Sequence, residues 1–181
     1  WSSDVCSSDL NYNMNKVIFL DIDGVMTTPV YVKHSVNVLM RVNGFSYDEA
    51  KYHTKDKFGE IFDPIAVDAL DKIIKSTNAK IVITSSWKKG KTLDFFKEMW
   101  KERNLPGEIL DITDNTMYDN RRDEIDGYLY NHSSNIESYL VIDDRNLGYK
   151  DRQILTDTNF GLTCNDITSS IHILNNLGNG H

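Results

Sequence analysis

The chain has 181 residues, of which 40% are hydrophobic and 26% are charged. A chain of this length buries about 70% of the surface that its unfolded form exposes, which is enough for one domain with a real core. The formal net charge of −7 argues against a protein that coats nucleic acid through a wide basic face. No apolar stretch approaches the roughly 18–20 residues that cross a bilayer, so we expect a cytoplasmic protein with no membrane contact.

The chain opens with the residues WSSDVCSSDL, which repeat the unit SSD and show no apolar period. The segment resembles a translated sequencing adapter, so we predict that residues 1–13 are a non-native leader and that Met14 is the natural start. A disordered native leader is the alternative. Residues 14–181 are predicted to form a single domain. The two cysteines, Cys6 and Cys164, are too few and too far apart to suggest a disulfide framework or a zinc site.

Short apolar runs that contain β-branched residues recur along the chain and predict strands. They cover residues 16–20, 80–84, 109–112 and 139–142. Helical patterns cover residues 64–76, 91–103, 122–130 and 166–177. Strands that alternate with helices predict an α/β fold, namely a Rossmann-like three-layer sandwich with a central, mostly parallel sheet and a small cap or none.

Residues 28–62 do not fit this alternation. Residues 31–42 are mildly apolar, and a polar helix is possible from Ser46 onwards. At about 35 residues the segment is below the size of independent domains, so we expect a small insertion or flap over the functional site.

Carboxylates follow the first predicted strand in the stretch FLDIDGVM, where Asp21 and Asp23 precede Gly24. Ligands bind at the carboxyl ends of the strands in parallel sheets, so both acids are placed where a site is expected. A calcium loop that begins at Asp21 would need a carboxylate at its twelfth position, which is Val32. The calcium interpretation is therefore excluded.

Two further strand ends carry polar side chains. Thr84 and Ser85 follow the run KIVI, and ordinary turn chemistry is the alternative explanation for them. Asp143 and Asp144 follow the run YLVI, where paired acids repel each other unless a cation neutralises them. They are either solvated turn residues or part of a metal site.

The sequence resembles the haloacid dehalogenase-like (HAD) phosphohydrolase superfamily, because four features occur in the order of that superfamily: strand-DIDGV, strand-TSS, a basic residue in RRDEI and strand-DD. It resembles most closely the small branch associated with nucleic-acid (RNA) repair proteins, through the stretches AKIVITSSWK, RRDEIDGYL, YLVIDD and TDTNFGLT. The resemblance covers residues 16–177, with residues 28–62 unmatched.

The resemblance implies roles for the carboxylates. Asp21 would be the nucleophile that forms an aspartyl-phosphate, and Asp23 would be the general acid and base. The implied cofactor is Mg²⁺, because a carboxylate that approaches a phosphate needs a hard cation held by oxygen ligands. Its ligands would be Asp21, the main-chain carbonyl of Asp23, and Asp143, with Asp144 binding directly or through water.

The resemblance also implies groups that bind the phosphate. Ser85 would donate a hydrogen bond to the phosphoryl group, with Thr84 as the alternative one residue away. Arg122 occupies the position of the family's lysine or arginine, with Arg121 as the alternative. The alternative explanation is that both arginines are solvated residues at the start of a helix, with no role in binding.

Together these observations predict a magnesium-dependent phosphatase whose partner is a phosphorylated substrate, with polynucleotide terminal phosphates as the expected class. A small-molecule 5′-nucleotidase is one alternative. A receiver-like domain that accepts a phosphoryl group is another, although a receiver does not need an acid two residues after its acceptor. No partner protein is evident, and Trp87 and Trp100 are interpreted as packing aromatics.

Overall fold

The structure is a computed structural model that describes residues 14–114 and 120–176, so the predicted leader lies outside the described residues. The helices and strands of this part of the chain are β1 (Asn15–Leu20), α1 (Pro29–Asn43), α2 (Tyr47–Tyr52), β2 (Lys55–Asp56), β3 (Gly59–Glu60), α3 (Pro64–Thr77), β4 (Lys80–Ile83), α4 (Leu93–Glu102), β5 (Ile109–Ile112), α5 (Arg121–His132), β6 (Ile136–Asp143), β7 (Gln153–Leu155) and α6 (Ile167–Asn176). None of these helices is long and apolar enough to cross a membrane.

The central sheet contains five strands in the order β5-β4-β1-β6-β7, and every neighbouring pair is parallel. The pairing aligns Leu20 of β1 with Ile83 of β4 and Ile142 of β6. The carboxyl ends of these three strands therefore lie side by side. This arrangement confirms the predicted α/β class and brings the three polar strand ends to one edge of the sheet.

Hydrophobic side chains fill both faces of the sheet. Along β1, Ile18 and Leu20 face one cluster, whereas Val17 and Phe19 face the other, as the alternation of an extended strand requires. The first cluster includes buried residues of α3, α4 and α6, and the second includes Ile125 of α5. Helices on both faces complete the predicted three layers.

Helix α3 shows how the sequence encodes one of these elements. The Asp63 side chain accepts a hydrogen bond from the Ile65 N–H at 2.9 Å, and Pro64 occupies the first helical turn. Asn78 ends the helix in the left-handed conformation, with φ of 55°. The observed helix starts at the predicted residue and ends one residue later than predicted.

The insertion over residues 28–62 contains α1, α2 and the β2–β3 hairpin. Ser46 caps α2, and Glu49 reaches back to the Ser46 N–H at 2.9 Å, so the helix begins where the sequence suggested. Helix α1 was not predicted. Helix α1 buries little side-chain surface in the core, since Val36 is its only buried residue, and its apolar pattern is correspondingly weak.

Candidate active site

Asp21 and Asp23 leave the central strand through a tight turn. The Gly24 N–H donates to the Thr27 carbonyl at 2.9 Å, and the Thr27 N–H donates to the Ile22 carbonyl at 2.9 Å. Asp21 is 3% exposed, whereas Asp23 is exposed. The turn thus keeps Asp21 buried at the edge of the sheet and exposes Asp23 to solvent.

Gly24 is needed for two reasons. Its φ of 72° lies in the left-handed region that residues with a Cβ rarely adopt. A Cβ at this position would also overlap the Asp144 carboxylate, which packs directly over the glycine. The Thr158 hydroxyl donates to Asp144 Oδ2 at 2.8 Å and holds the carboxylate there.

Three carboxylates converge at the ends of β1 and β6. Ligand oxygens of Asp21, Asp143 and Asp144 all lie within 4.8 Å of one another, and Asp143 is fully buried. The Arg145 N–H donates to Asp143 Oδ1 at 2.8 Å and fixes its orientation. An oxygen-only donor set of this kind suits a hard divalent cation such as Mg²⁺. The Asp23 side chain does not belong to this group.

Arg121, in the first turn of α5, bridges two of these acids. Its Nη1 donates to Asp21 Oδ2 and to Asp143 Oδ2, and its side chain is 9% exposed. Burial raises the pKa of Asp21 above its usual value, while the Arg121 charge opposes this rise and the neighbouring Asp143 adds to it. The guanidinium therefore helps to keep the buried Asp21 ionised.

Arg122, the arginine expected from the sequence, points away from the acids. Its Nη1 donates to the Leu147 carbonyl at 2.7 Å, and its Nε lies 3.4 Å from Asp126 Oδ2. Successive helical residues are about 100° apart around the axis, so only one of two adjacent arginines can face the sheet edge. Of the two arginines that the sequence offered, Arg121, the alternative, is therefore the one that contacts the acids.

Thr84 and Ser85 follow β4 and are both fully buried. The Thr84 N–H donates to the Leu20 carbonyl at 3.0 Å, which places Thr84 beside Asp21. Among the described residues, the Thr84 hydroxyl has no hydrogen-bond partner, although it is buried. Ser85 Oγ accepts a hydrogen bond from the Trp87 N–H at 3.3 Å. Thr84, the alternative in the sequence analysis, therefore has a buried hydroxyl without any hydrogen bond in the described part of the chain, whereas the Ser85 hydroxyl accepts one.

Asp23 is held by two donors that the sequence analysis did not identify. The Thr27 hydroxyl and the Trp87 indole N–H both donate to its Oδ1, at 3.0 Å and 2.9 Å. Within the part of the chain that the structure describes, Oδ2 accepts no hydrogen bond. Trp87 directly follows the hydroxyl-bearing strand end, and this position was the signal for its role. It is a site residue as well as a packing aromatic.

A buried ion pair supports the start of α5. Lys88, 5% exposed, pairs with Glu124, which is 8% exposed and also accepts a hydrogen bond from the Thr113 hydroxyl at 3.1 Å. Burial lowers the pKa of Lys88, and Glu124 opposes the shift. Because Glu124 lies three residues after Arg121, this pair fixes the helix turn that carries the bridging arginine.

The sequence matches a known protein family over most of its length. The model of the HAD domain in Swiss Army Knife RNA repair proteins matches residues 17–167. No curated protein matches significantly.

Two solved structures share the general arrangement at low identity. A haloacid dehalogenase-like family hydrolase from Streptococcus pneumoniae is 14% identical, with a TM-score of 0.46, and the match covers 87% of this chain and 91% of that one. A predicted phosphatase from Clostridium acetobutylicum is 18% identical, with a TM-score of 0.42, and the match covers 87% of this chain and 90% of that one. At these values neither structure informs the function.

The family match spans all four sequence motifs and the acids, hydroxyls and arginine that the fold brings together. It confirms the resemblance stated from those motifs. The chain therefore belongs to the HAD phosphohydrolases, as an enzyme of the HAD phosphatase type, within the branch of HAD domains in Swiss Army Knife RNA repair proteins.

Proposed function

We propose that this enzyme is a magnesium-dependent phosphatase that acts through an aspartyl-phosphate on Asp21. One observation carries the proposal: the buried Asp21 lies beside two further buried or half-buried acids and one arginine, while Asp23 stands at the solvent side of the same turn. Asp21 as a nucleophile, an arginine as a cation and Asp23 as an acid are thus available at the carboxyl end of β1.

Asp21 would attack the phosphorus atom, and the bond from phosphorus to the leaving oxygen would break. Asp23, through its free Oδ2, would donate a proton to that oxygen. Asp23 would then take a proton from a water molecule that attacks the aspartyl-phosphate, which releases inorganic phosphate and restores Asp21. The hydrogen bonds from Trp87 and Thr27 orient Asp23 for both steps.

The phosphoryl oxygens need positive charge and donors. Arg121 would exchange its carboxylate partners for phosphoryl oxygens, and the unpartnered Thr84 hydroxyl would donate to them. Ser85 remains the second candidate for this donor.

The donor set also fits Mg²⁺. Asp21, Asp143 and Asp144, with the Asp23 main-chain carbonyl, would hold the ion. When bound, Mg²⁺ supplies the positive charge that offsets the repulsion between a carboxylate and a phosphate. Among the described residues, this is the group of acids whose oxygens are close enough to share an ion.

We propose a terminal phosphate of a polynucleotide as the substrate. The family of HAD domains in RNA repair proteins supports this class, and the small insertion leaves the site open to a long chain. A free mononucleotide remains the competing substrate, because it fits the same open site. A receiver-like role is disfavoured by the two hydrogen bonds that position Asp23 for turnover.

The first prediction tests the reaction itself. Asp21→Asn should abolish magnesium-dependent hydrolysis of p-nitrophenyl phosphate, since only positioning and charge remain without the nucleophile. Circular dichroism and thermal melting of the variant control for folding. Substantial turnover in pure, folded Asp21→Asn would overturn the covalent mechanism.

A further inference from the structure

A cleft opens beside Asp23, between the strand-end site and the insertion. Its volume is about 630 Å³, within the range of roughly 300–1,000 Å³ that is typical of ligand sites. Asp23, Gly24 and Asp144 form the wall on the side of the reaction, and residues of α1 and α2 form the opposite wall. Because Asp23 lines this cleft, the proposed mechanism would direct into it the part of the substrate that leaves with the protonated oxygen.

Two lysines line the insertion side of the cleft, opposite the carboxylates of Asp23 and Asp144. Lys33 of α1 and Lys51 of α2 both line it, and within the described residues neither has a carboxylate oxygen within 4 Å. Glu60 also lines the cleft, but it lies 3.8 Å from Lys55 and is partly neutralised. In a chain with a net charge of −7, two lysines without ion pairs on one wall favour an anionic group at that wall, away from the carboxylates of Asp23 and Asp144.

An aromatic ring stands beside these lysines. Tyr47 lines the cleft and is 57% exposed, so its ring face is available for contact. Tyr47 is the first residue of α2, whose start is fixed by the Ser46–Glu49 capping box. The backbone position that carries the ring is therefore fixed. A ring beside cations is the combination that binds single-stranded nucleic acid, with bases stacked on the ring and phosphates on the cations.

We propose that this cleft binds the nucleotide adjacent to the terminal phosphate. Lys33 and Lys51 contact the phosphodiester that links this nucleotide to the next, and Tyr47 stacks against a base. The inference rests on the proposed phosphatase function and assigns its specificity to the insertion. A phosphopeptide lacks both the second phosphate and the base, so the cleft discriminates against it.

The test compares substrates that differ by one phosphodiester. The substrates are p-nitrophenyl phosphate, a thymidine mononucleotide and the corresponding dinucleotide, the last two with the terminal phosphate at either the 5′ or the 3′ end. We expect the wild-type enzyme to prefer one dinucleotide over its mononucleotide by at least about tenfold in kcat/KM, as for one charge-assisted contact. The double variant Lys33→Met/Lys51→Met should lose this preference while it hydrolyses p-nitrophenyl phosphate normally.

Two further variants sharpen the comparison. Lys97→Met, on the exposed surface of α4, removes one lysine charge outside the cleft and should leave the preference intact. Tyr47→Leu should lower kcat/KM for the dinucleotide by about tenfold, the scale of removing one base–ring stack. The double variant should also reduce the salt dependence of dinucleotide binding, by about 0.7 in the logarithmic slope for each phosphate that the protein no longer neutralises.

The possible failures are distinguishable. If the wild-type enzyme hydrolyses p-nitrophenyl phosphate but treats dinucleotide and mononucleotide alike, the cleft inference is wrong and the phosphatase function stands. If p-nitrophenyl phosphate is not hydrolysed, binding of a fluorescent dinucleotide decides the inference, because Lys33→Met/Lys51→Met should weaken it and Lys97→Met should not. Equal loss for dinucleotide and p-nitrophenyl phosphate in the double variant would also overturn it.

Discussion

At the scale of single residues, Arg121 contributes to the site in two ways. Its guanidinium pairs with both Asp21 and Asp143, and in the proposed mechanism it also contacts the phosphoryl group. Burial raises the pKa of Asp21, and the Arg121 charge offsets part of that rise. In the proposed mechanism, loss of Arg121 should therefore affect both the ionisation of Asp21 and the stabilisation of the transition state.

The second prediction separates the two adjacent arginines. Arg121→Met should lower kcat by about 10²- to 10³-fold, as the removal of one preorganised donor does elsewhere. Arg122→Met is the matched control, since Arg122 bonds to the Leu147 carbonyl at the surface and should stay within the small range of surface substitutions. Steady-state kinetics with p-nitrophenyl phosphate measure both. An equal effect of the two variants would contradict the geometry.

The third prediction concerns Gly24. Gly24→Ala forces a Cβ into the left-handed region and against the Asp144 carboxylate, so it should cost about 1–3 kcal/mol of stability and raise the magnesium concentration that activity requires. Gly44→Ala is a matched control, because Gly44 has nearly the same φ, 71°, with no atom within 4 Å of the added Cβ.

Urea denaturation and magnesium titration of activity distinguish the two contributions of Gly24. Both alanine variants should lose stability through backbone strain, and only Gly24→Ala should need more magnesium. The same magnesium requirement in both variants would show that the packing of Gly24 against Asp144 is unimportant.

Much of the site was predictable because strand ends are easy to locate in the sequence. Asp21, Thr84 and Asp143 each follow a continuous apolar run, and parallel strands bring such positions together. The sequence also contained a reason to prefer Arg121 over Arg122. Arg121 precedes the buried Ile125 and Tyr128 by four and seven residues, so it shares their helix face. Trp87 was harder, because an indole N–H reveals its partner only in three dimensions.

At the scale of elements, the start of α5 is the part of the fold on which the site depends most. Lys88, after β4, and Thr113, after β5, both bond to Glu124, so two strand ends hold one helix turn. A buried ion pair is weak evidence for net stability, but the loss of one partner leaves an uncompensated charge.

The fourth prediction follows from this asymmetry. Lys88→Met should destabilise the protein by about 3–5 kcal/mol, because Glu124 is left buried without its cation. Lys88→Met/Glu124→Leu should recover most of that loss by removing both charges. Lys89→Met, one residue away and exposed, is the control. If the single variant is as stable as Lys89→Met in urea denaturation, the pair does not support α5.

Elements of the insertion and the sheet edge were the least predictable. Helix α1 is rich in valine, whose branched side chain lowers helix propensity, and it buries little surface. Strand β7 has three residues, of which only Ile154 is buried, so it has no apolar run to recognise. Both elements are set by tertiary contacts rather than by their own sequence pattern.

At the scale of the whole molecule, the two faces of the sheet differ in how they respond to pH. Tyr128, Tyr139 and Tyr149 all pack with the second hydrophobic cluster, on the face that α5 covers. Burial raises the pKa of each of these tyrosines. For Tyr149, the hydrogen bond that its hydroxyl donates to Asp126 Oδ1, at 2.7 Å, adds to the rise.

The fifth prediction works out the sign of this effect. The tyrosines stay protonated in the fold at pH values where the unfolded chain, with a tyrosine pKa of about 10, has lost those protons. Their contribution to stability is therefore complete below about pH 10 and is lost as the pH rises through the folded-state pKa values. Lys88, whose pKa burial lowers, acts in the opposite direction up to about pH 10.5, so a difference between variants is needed.

Tyr149→Phe supplies that difference, because it removes one titrating group and leaves Lys88 in place. Its free energy of unfolding should fall less steeply than that of the wild-type protein above pH 10, although it starts lower by about 1 kcal/mol through the lost hydrogen bond. Tyr52→Phe is the control, since that ring is 77% exposed. Urea denaturation at several pH values from 8 to about 11 measures the slopes. Parallel curves for Tyr149→Phe and wild type would mean that Tyr149 ionises alike in both states, and the α5 face would then not be the alkaline-sensitive side of the molecule.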